Sequence, residues 1–256
     1  MSVPRETASA PRAIRMRMAA LSHLGRVRDN NEDAVFADVR SRIAVVCDGM
    51  GGHAGGNVAS EMAVQIVSGS LRQLRNADWA VEDRVIDAMK DAVFSANDHI
   101  LSRARIDPAL HDMGTTLVTC AFMHDRVITA NVGDSRIYRI AGGEVVQVSE
   151  DHSLVAERVR EGLMDPDSEE ANLLANIVTR ALGMDQITVD ITVEDLHPGD
   201  TYLLCSDGLH DLVSDLEIGQ IVTGTSGPQE ACAALVDLAN HRGGFDNISV
   251  VVATAG

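Results

Sequence analysis

Aromatic residues, paired cysteines and long apolar runs are scarce in this chain of 256 residues. Only 3% of the residues are aromatic, so the core must be built from Val, Ile, Leu, Ala and Met. The four cysteines are scattered without a C-x-x-C pair, which predicts free thiols in a reducing cytoplasm. No stretch approaches the roughly 18 apolar residues that a membrane span requires, so no membrane partner is expected.

Positive charge is also scarce. The chain has 21 Lys and Arg residues against 38 Asp and Glu residues, which gives a net charge of −17 at pH 7. Such a surface repels nucleic acid and anionic lipid, and no basic cluster offsets it. The same charge suits a protein that binds divalent cations, because bound ions reverse the sign of the local charge.

Length and composition predict one large domain. Apolar residues make up 45% of the chain, as in an ordinary globular protein. We expect residues 1–13 to form a flexible N-terminal leader and residues 14–256 to form the domain. The arginines near the N-terminus are not followed by an apolar segment, so they do not form a secretory signal. No feature of the sequence demands more than a monomer.

Apolar periodicity predicts an antiparallel β-sandwich with flanking helices, an α+β fold. Strands are predicted near residues 14–18, 34–47 (a pair), 117–122, 127–132, 136–140, 145–148, 201–205 and 247–253. Helices are predicted at 57–74, 80–105 and 229–239. The four strands between 115 and 148 are separated by short polar turns, which predicts one antiparallel meander. Residues 150–177 are polar, acidic and partly helical, which is typical of a mobile flap.

Four aspartates stand beside predicted strands. Asp48 and Asp207 each close an apolar run and are followed by glycine, which lets the backbone turn sharply and approach a ligand. Asp33 precedes the first strand pair, and Asp246 enters the last strand. A single Asp-Gly is usually a turn. Four such positions without Cys or His among them indicate an oxygen-only site for Mg²⁺ or Mn²⁺.

Motifs along almost the whole chain resemble the PP2C, or PPM, family of protein serine/threonine phosphatases, in its bacterial form. They are Gly25-Arg26-Val27-Arg28, Asn31-Glu32-Asp33, Asp48-Gly49-Met50-Gly51-Gly52-His53, Met113-Gly114-Thr115-Thr116, Gly133-Asp134-Ser135-Arg136, Asp151-His152-Ser153, Ser206-Asp207-Gly208-Leu209 and Asp246-Asn247. The resemblance implies a β-sandwich with helices on both outer faces, a four-layer αββα arrangement.

The resemblance also implies a metal centre of two Mn²⁺ or Mg²⁺ ions. Its ligands would be Asp33, Asp48, the Gly49 carbonyl, Asp207 and Asp246, with Glu32 close by to steer water. Asp134 matches the acid of a third, weaker metal site, with Asp207 and Asp211 as partners. A plain turn acid between two strands is the alternative reading of Asp134.

The implied reaction is hydrolysis of phosphoserine and phosphothreonine by water that the two cations activate. Cations about 3.5–4 Å apart can share a water and lower its pKa, so no protein nucleophile is needed. Cys47 and Cys205 lie in strands and lack a Cys-x5-Arg loop, which excludes a phosphocysteine route. Arg28 is the predicted phosphate clamp, because a guanidinium can engage two phosphate oxygens. His53 is the predicted general acid, aligned across an insertion of three residues.

Other functions fit these residues less well. A calcium-stabilised structural domain would show a D-x-[DN]-x-[DN]-G pattern, and none is present. A catalytically silent module that binds phosphoproteins is disfavoured by the intact acids and Arg28. A phosphatase dedicated to one regulatory phosphoprotein stays open. The expected partners are phosphorylated proteins, including by analogy a bacterial Ser/Thr kinase. His152, in Asp151-His152-Ser153, is predicted to fix the turn at which the flap begins rather than to touch substrate.

Overall fold

Twelve strands and seven helices make up residues 14–51 and 55–256, the part of the chain that this computed structural model describes. The strands are β1 Met16–His23, β2 Ala34–Asp38, β3 Ile43–Cys47, β4 Gly49–Met50, β5 Gly114–Thr115, β6 Leu117–Phe122, β7 Arg126–Val132, β8 Arg136–Ala141, β9 Glu144–Gln147, β10 Asp190–Asp195, β11 Thr201–Cys205 and β12 Ile248–Ala255. The helices are α1 Gly55–Arg72, α2 Glu82–Ile106, α3 Leu154–Arg160, α4 Glu169–Leu174, α5 Asp207–His210, α6 Asp215–Gly224 and α7 Pro228–His241. The predicted leader, residues 1–13, lies outside the described residues.

Two five-stranded antiparallel sheets face each other. One has the order β1-β12-β11-β8-β9, and the other has the order β10-β7-β6-β3-β2. Helices α1 and α2 pack on the second sheet, and α6 and α7 pack on the first. The predicted four-layer αββα fold is confirmed.

Three apolar layers result from this stacking, and the central layer joins the two sheets. There the rings of Phe122 and Tyr202, one from each sheet, meet edge to face with centroids 5.6 Å apart. Such a pair adds about 0.5–1.5 kcal/mol beyond the area it buries. Strands β3 and β11 are buried at every position because they are covered on both faces, which explains their unbroken apolar sequence. The few aromatic residues thus include a pair at the place where the sheets meet.

The predicted single meander between residues 115 and 148 is wrong. Strands β6 and β7 form a hairpin in one sheet, whereas β8 and β9 form a hairpin in the other. The crossing takes three residues, and Gly133 enters it with φ of 110°, a left-handed conformation that favours glycine. Because the chain changes sheets here, Asp134 is placed at the end of the sandwich between the two layers.

The segment proposed as a flap contains the short helices α3 and α4, as the polar, partly helical pattern predicts. Its ends meet, because the Leu154 N–H donates to the Ile177 carbonyl at 2.9 Å. The Thr179 N–H likewise donates to the His152 carbonyl at 2.8 Å. The segment therefore leaves the sandwich and returns to it at nearly the same place. Its mobility stays a prediction. Among the described helices, none has the length and apolarity needed to cross a membrane.

Candidate metal centre

Antiparallel pairing brings the predicted acids to one end of the sandwich. Ala34 pairs with Cys47, so Asp33 and Asp48 extend from the same end of the β2–β3 pair. Asp207 follows β11 and Asp246 precedes β12, its antiparallel neighbour. An open cleft of about 540 Å³ lies at this end. Seven of the predicted site residues line it: Arg28, Glu32, Asp48, Gly49, Asp134, Asp207 and Asp246.

Asp33 lies behind the cleft rather than on its surface. Its side chain is buried, and its Oδ2 accepts a hydrogen bond from the Ser206 hydroxyl at 2.9 Å. Its Oδ1 is buried without a hydrogen-bond partner, and so is Oδ1 of Asp207. An unsatisfied buried acceptor costs about 1–3 kcal/mol, and more when it is charged. A cation between these oxygens would supply the missing partner.

Burial and mutual repulsion raise the pKa values of the aspartates at this site. Burial, opposed by hydrogen bonds from Ser249 and Ser206, raises the pKa of Asp33 to about 7. Burial and the charge of Asp207 raise the pKa of Asp134 to about 7. Burial, followed by the neighbouring carboxylates, raises the pKa of Asp48 well above its usual range, and burial also raises the pKa of Asp207. The ionised carboxylates at this site would carry more negative charge than the neighbouring basic side chains neutralise.

The chemistry of these donors fits a pair of hard cations. Carboxylate and carbonyl oxygens are the ligands that Mg²⁺ and Mn²⁺ prefer, and no Cys or His is among the described residues that line the cleft. Within residues 14–51 and 55–256, no three His, Cys, Asp or Glu side chains converge closely enough to surround one ion. Hard cations such as Mg²⁺ keep several water ligands, so one or two carboxylates for each ion are sufficient.

The backbone of Asp48 and Gly49 is held rigidly by a neighbouring strand. The Asp48 N–H donates to Thr116 Oγ1 at 2.9 Å, and the Thr116 N–H donates to the Asp48 carbonyl at 2.8 Å. A Cβ on Gly49 would lie 2.2 Å from the Gly56 carbonyl oxygen and 2.5 Å from that of Glu32. Only glycine fits, so the Thr115-Thr116 motif and the tight packing together aim the Asp48 side chain at the cleft.

Asn247 organises the other wall of the cleft, a role that the sequence reasoning missed. Its Oδ1 accepts from the Glu32 N–H at 2.8 Å, and its Nδ2 donates to the carbonyls of Leu24 and Asn30 at 2.9 and 3.0 Å. These bonds tie the loop that carries Arg28, Glu32 and Asp33 to the start of β12. The Asp246-Asn247 motif was the available signal, since a buried amide needs hydrogen-bond partners.

Two histidines hold the Asp134 turn. His152 Nδ1 accepts from the Gly133 N–H at 3.1 Å, and the His152 N–H donates to the Gly133 carbonyl at 3.0 Å. The predicted place of this role was the turn at the start of the flap, whereas the imidazole holds the turn at Gly133. His210, which the sequence reasoning missed, donates from Nε2 to the Asp134 carbonyl at 3.1 Å. The buried imidazole therefore connects α5 to the turn that carries Asp134.

Arg28, Asp211 and His53 are the remaining predicted site residues. Arg28 is half-exposed in the cleft, and its Nη2 lies 2.5 Å from Asp246 Oδ2. That hydrogen bond raises the pKa of Arg28. Asp211 does not line the cleft: it lies at a smaller adjoining pocket, with His210 Nδ1 3.2 Å from its Oδ1. His53, the predicted general acid, lies outside the described residues.

The metal-free protein should lose stability as the pH rises from 5 to 8. The pKa values of Asp33 and Asp134 are about 7 in the folded protein, against 3.8 in an unstructured chain. Between these values the folded state holds more protons than the unfolded state, so the free energy of unfolding falls with rising pH. We expect Tm in EDTA to be lower at pH 8 than at pH 5, by about 2–4 °C for each kcal/mol lost.

Thermal unfolding in EDTA at pH 5, 6, 7 and 8 measures this slope. Glu217 does not contribute to this slope, because its hydrogen bonds with Arg242 lower its pKa to about 2, below the measured range. Asp134→Asn removes one of the groups whose pKa is raised to about 7 and should flatten the curve. A Tm that rises between pH 5 and pH 8 would show that the carboxylates are not destabilising when ionised.

Comparison with known proteins places these observations in a family. Residues 22–238 match the family model described as protein phosphatase 2C. The serine/threonine protein phosphatase PstP of Mycobacterium tuberculosis is 38% identical over 243 residues, which cover 93% of this chain and 45% of PstP. The serine/threonine phosphatase stp of Listeria monocytogenes is 37% identical over 232 residues, which cover 89% of this chain and 91% of that protein.

A solved structure is similar over the same extent. The crystal structure of the catalytic domain of PstP in complex with two manganese ions has a TM-score of 0.84 to this chain at 36% identity. The match covers 95% of this chain and 99% of that structure. The chain thus spans less than half the length of PstP and nearly all of its solved catalytic domain.

Proposed function

Because the chain belongs to the protein phosphatase 2C family, whose members are metal-dependent hydrolases of phosphoproteins, we propose that it removes phosphate from phosphoserine and phosphothreonine in proteins. The observation that carries this proposal is the group of buried carboxylates at one cleft, two of them with buried oxygens that have no partner. Such a group is costly to a protein that binds no cation. The cleft is open, as a site for a protein substrate must be.

The chain's oxygens would hold two Mn²⁺ or Mg²⁺ ions, the cofactors of this family. We assign the pair to Asp33, Asp48, the Gly49 carbonyl, Asp207 and Asp246. Asp134, with Asp207 and with Asp211 acting through water ligands of the ion, would hold a third and weaker ion. When bound, the ions would lower the pKa of water and neutralise the phosphoryl oxygens. The raised pKa values support this assignment, because bound cations would offset the repulsion that causes part of them.

Two further residues are placed to act on the phosphate and on water. Arg28 extends over the cleft with one Nη engaged by Asp246, so the guanidinium is oriented while its other N–H groups can donate to phosphate oxygens. Glu32 is fixed at both ends of its backbone: its N–H donates to Asn247, and its carbonyl accepts from the Ser60 hydroxyl at 2.5 Å. Its side chain at the cleft can therefore orient water. His53 remains the proposed general acid.

The proposal is tested with metal-stripped protein and a phosphothreonine peptide. We expect hydrolysis to return when Mn²⁺ or Mg²⁺ is added and to stay at background with EDTA alone. Phosphate release and circular dichroism are measured on the same samples, so a loss of fold is recognised. Hydrolysis that continues unchanged in EDTA would contradict the proposal. A folded protein that cleaves p-nitrophenyl phosphate but no arbitrary phosphopeptide would favour a phosphatase dedicated to one regulatory protein.

We further propose that the protein acts in the cytoplasm as a monomer and that its substrates include a Ser/Thr kinase. All four cysteines are free and buried, which suits a reducing compartment. A kinase is the natural counterpart, because each phosphoserine or phosphothreonine that this site removes must first be made by phosphoryl transfer. The size of the protein by light scattering, and hydrolysis of an autophosphorylated kinase domain, test these statements.

A further inference from the structure

A second, smaller pocket of about 250 Å³ opens from the cleft beside Arg28. It shares Arg28, Asn176, Asp207 and Asp246 with the cleft, so the two spaces are continuous. The residues that belong to it alone include Phe245 and Leu212, which give it an apolar wall. The metal-binding acids therefore have an apolar compartment directly at their side.

Phe245 is an exposed aromatic side chain whose ring lies against Gly243. It is 62% exposed, in a chain with only four phenylalanines. A Cβ on Gly243 would lie 2.4 Å from its ring, so the ring lies directly against that glycine. Leu212, on the same pocket, is anchored because Arg242 donates to its carbonyl at 2.8 Å. The exposed ring is apolar surface that a ligand in the pocket can bury, with a gain in free energy proportional to the area covered.

The position of the pocket indicates what covers it. A phosphorylated residue that reaches the acids and Arg28 brings its own polypeptide chain to the mouth of the cleft. In an extended peptide each residue advances about 3.3 Å, so side chains one or two positions away lie within about 7 Å of the phosphorylated residue. The pocket shares four lining residues with the cleft, so these neighbouring side chains are the groups that can reach it.

The chemistry of the pocket selects an apolar side chain. Asp246 pairs with Arg28, Asp207 faces the metal centre, and Asp211, the third carboxylate of the pocket, has its Oδ1 3.2 Å from His210 Nδ1. The apolar surface of the pocket is the exposed ring of Phe245 and the part of Leu212 that its packing against the core leaves uncovered. A basic side chain would meet Arg28 and the bound cations, which repel it.

We propose that Phe245 and Leu212 form a specificity pocket for an apolar substrate side chain within two residues of the phosphorylated residue, an inference that rests on the proposed function. Val27, also 62% exposed, lies on the wall of the cleft itself and adds apolar surface near its mouth. The protein then prefers phosphorylated sites that have leucine-like neighbours over sites flanked by alanine or by charged residues.

The test uses phosphothreonine peptides that differ only at the two positions on each side of the phosphothreonine, which carry Leu, Ala, Lys or Asp. We expect wild-type kcat/KM to be roughly tenfold higher for Leu than for Ala, mainly through KM, as for other hydrophobic pockets. Phe245→Ala should remove most of that preference. Leu216→Ala, a matched control at a 71% exposed apolar residue outside the pocket, should keep it. Hydrolysis of p-nitrophenyl phosphate, which has no such side chain, reports the metal centre separately.

Binding of the same peptides, labelled and followed by fluorescence anisotropy in the presence of Mn²⁺, gives a readout that does not need catalysis. A missing Leu preference in binding, a preference for Lys, or a preference that survives in Phe245→Ala would overturn the inference. Equal losses on every peptide and on p-nitrophenyl phosphate in Phe245→Ala would also overturn it, because Phe245 would then only hold the Asp246 loop. Absent hydrolysis with an intact Leu preference in binding would contradict the proposed function alone.

Discussion

Replacing Asp207 with asparagine should abolish hydrolysis and at the same time stabilise the metal-free protein. Asp207 lies between the cleft and the adjoining pocket, and it is assigned to both the metal pair and the third site. Removing one group that stabilises charge in a transition state lowers kcat by a factor of about 10²–10³. Removing a ligand that several metal ions share should lower kcat at least as much. Phosphate release from a phosphothreonine peptide at saturating Mn²⁺ measures the loss.

The gain in stability has a separate cause. Burial raises the pKa of Asp207, so its ionised form is destabilising when no cation is present. Asparagine has nearly the same shape without the charge, and its amide can donate to Asp48. We expect the metal-free Tm of Asp207→Asn to rise by about 2–4 °C, as a gain of 1 kcal/mol gives in a protein of this size.

A matched substitution separates this effect from a general loss of negative charge. Asp98→Asn removes one charge from an exposed position on α2 and should change neither kcat nor Tm appreciably. If Asp207→Asn retained more than about one tenth of wild-type kcat, or if its metal-free Tm fell, Asp207 would not be a charged ligand held against repulsion.

Gly49→Ala should destabilise the protein and disable the site together. The added methyl group would lie 2.2 Å from the Gly56 carbonyl oxygen and 2.5 Å from the Glu32 carbonyl oxygen, and both neighbours are backbone atoms. Overpacking of this kind costs about 1–3 kcal/mol, and the upper end is expected because backbone cannot rotate away. Tm should fall by about 2–4 °C for each kcal/mol, and hydrolysis should fall because the Gly49 carbonyl and Glu32 are displaced.

Gly69→Ala is the control for this substitution. Gly69 lies within α1, and no atom comes within 4 Å of the position that its added methyl group would take, so alanine adds no clash. Because alanine favours a helix interior over glycine by roughly 1 kcal/mol, this variant should be slightly more stable and fully active. Equal behaviour of the two variants in thermal unfolding would contradict the tight packing of Gly49.

The convergence of the acids at one end of the sandwich could be predicted because its signal is local. Asp48 and Asp207 each end a strand whose apolar residues are buried on both faces, and that burial leaves an unbroken apolar run in the sequence. Antiparallel pairing then places such strand ends together. The apolar pattern could not decide which sheet holds β8 and β9, because burial against either sheet satisfies the same alternation. The single meander was therefore the wrong interpretation of correctly predicted strands.

The supporting residues could not be predicted because their partners are remote in sequence. The bond from the Glu32 N–H to Asn247 joins residues 215 positions apart, and the bond from Ser206 to Asp33 spans 173 positions. Helix α5, which carries Asp207 and His210, is four residues long and has no apolar period of its own. So short a helix is stabilised by tertiary packing rather than by propensity. The role of His53 rests on the family motif and stays a prediction.

The central claim is that the buried carboxylates form the divalent metal centre on which hydrolysis depends. Native mass spectrometry of the wild-type chain and of Asp207→Asn, each titrated with Mn²⁺ at neutral pH, tests it most directly when phosphate release is followed in parallel. We predict two tightly held Mn²⁺ ions in the wild-type chain at the point where activity saturates, and fewer than two in the inactive variant. Two ions bound equally by both proteins, or full wild-type activity before any ion binds, would contradict the claim.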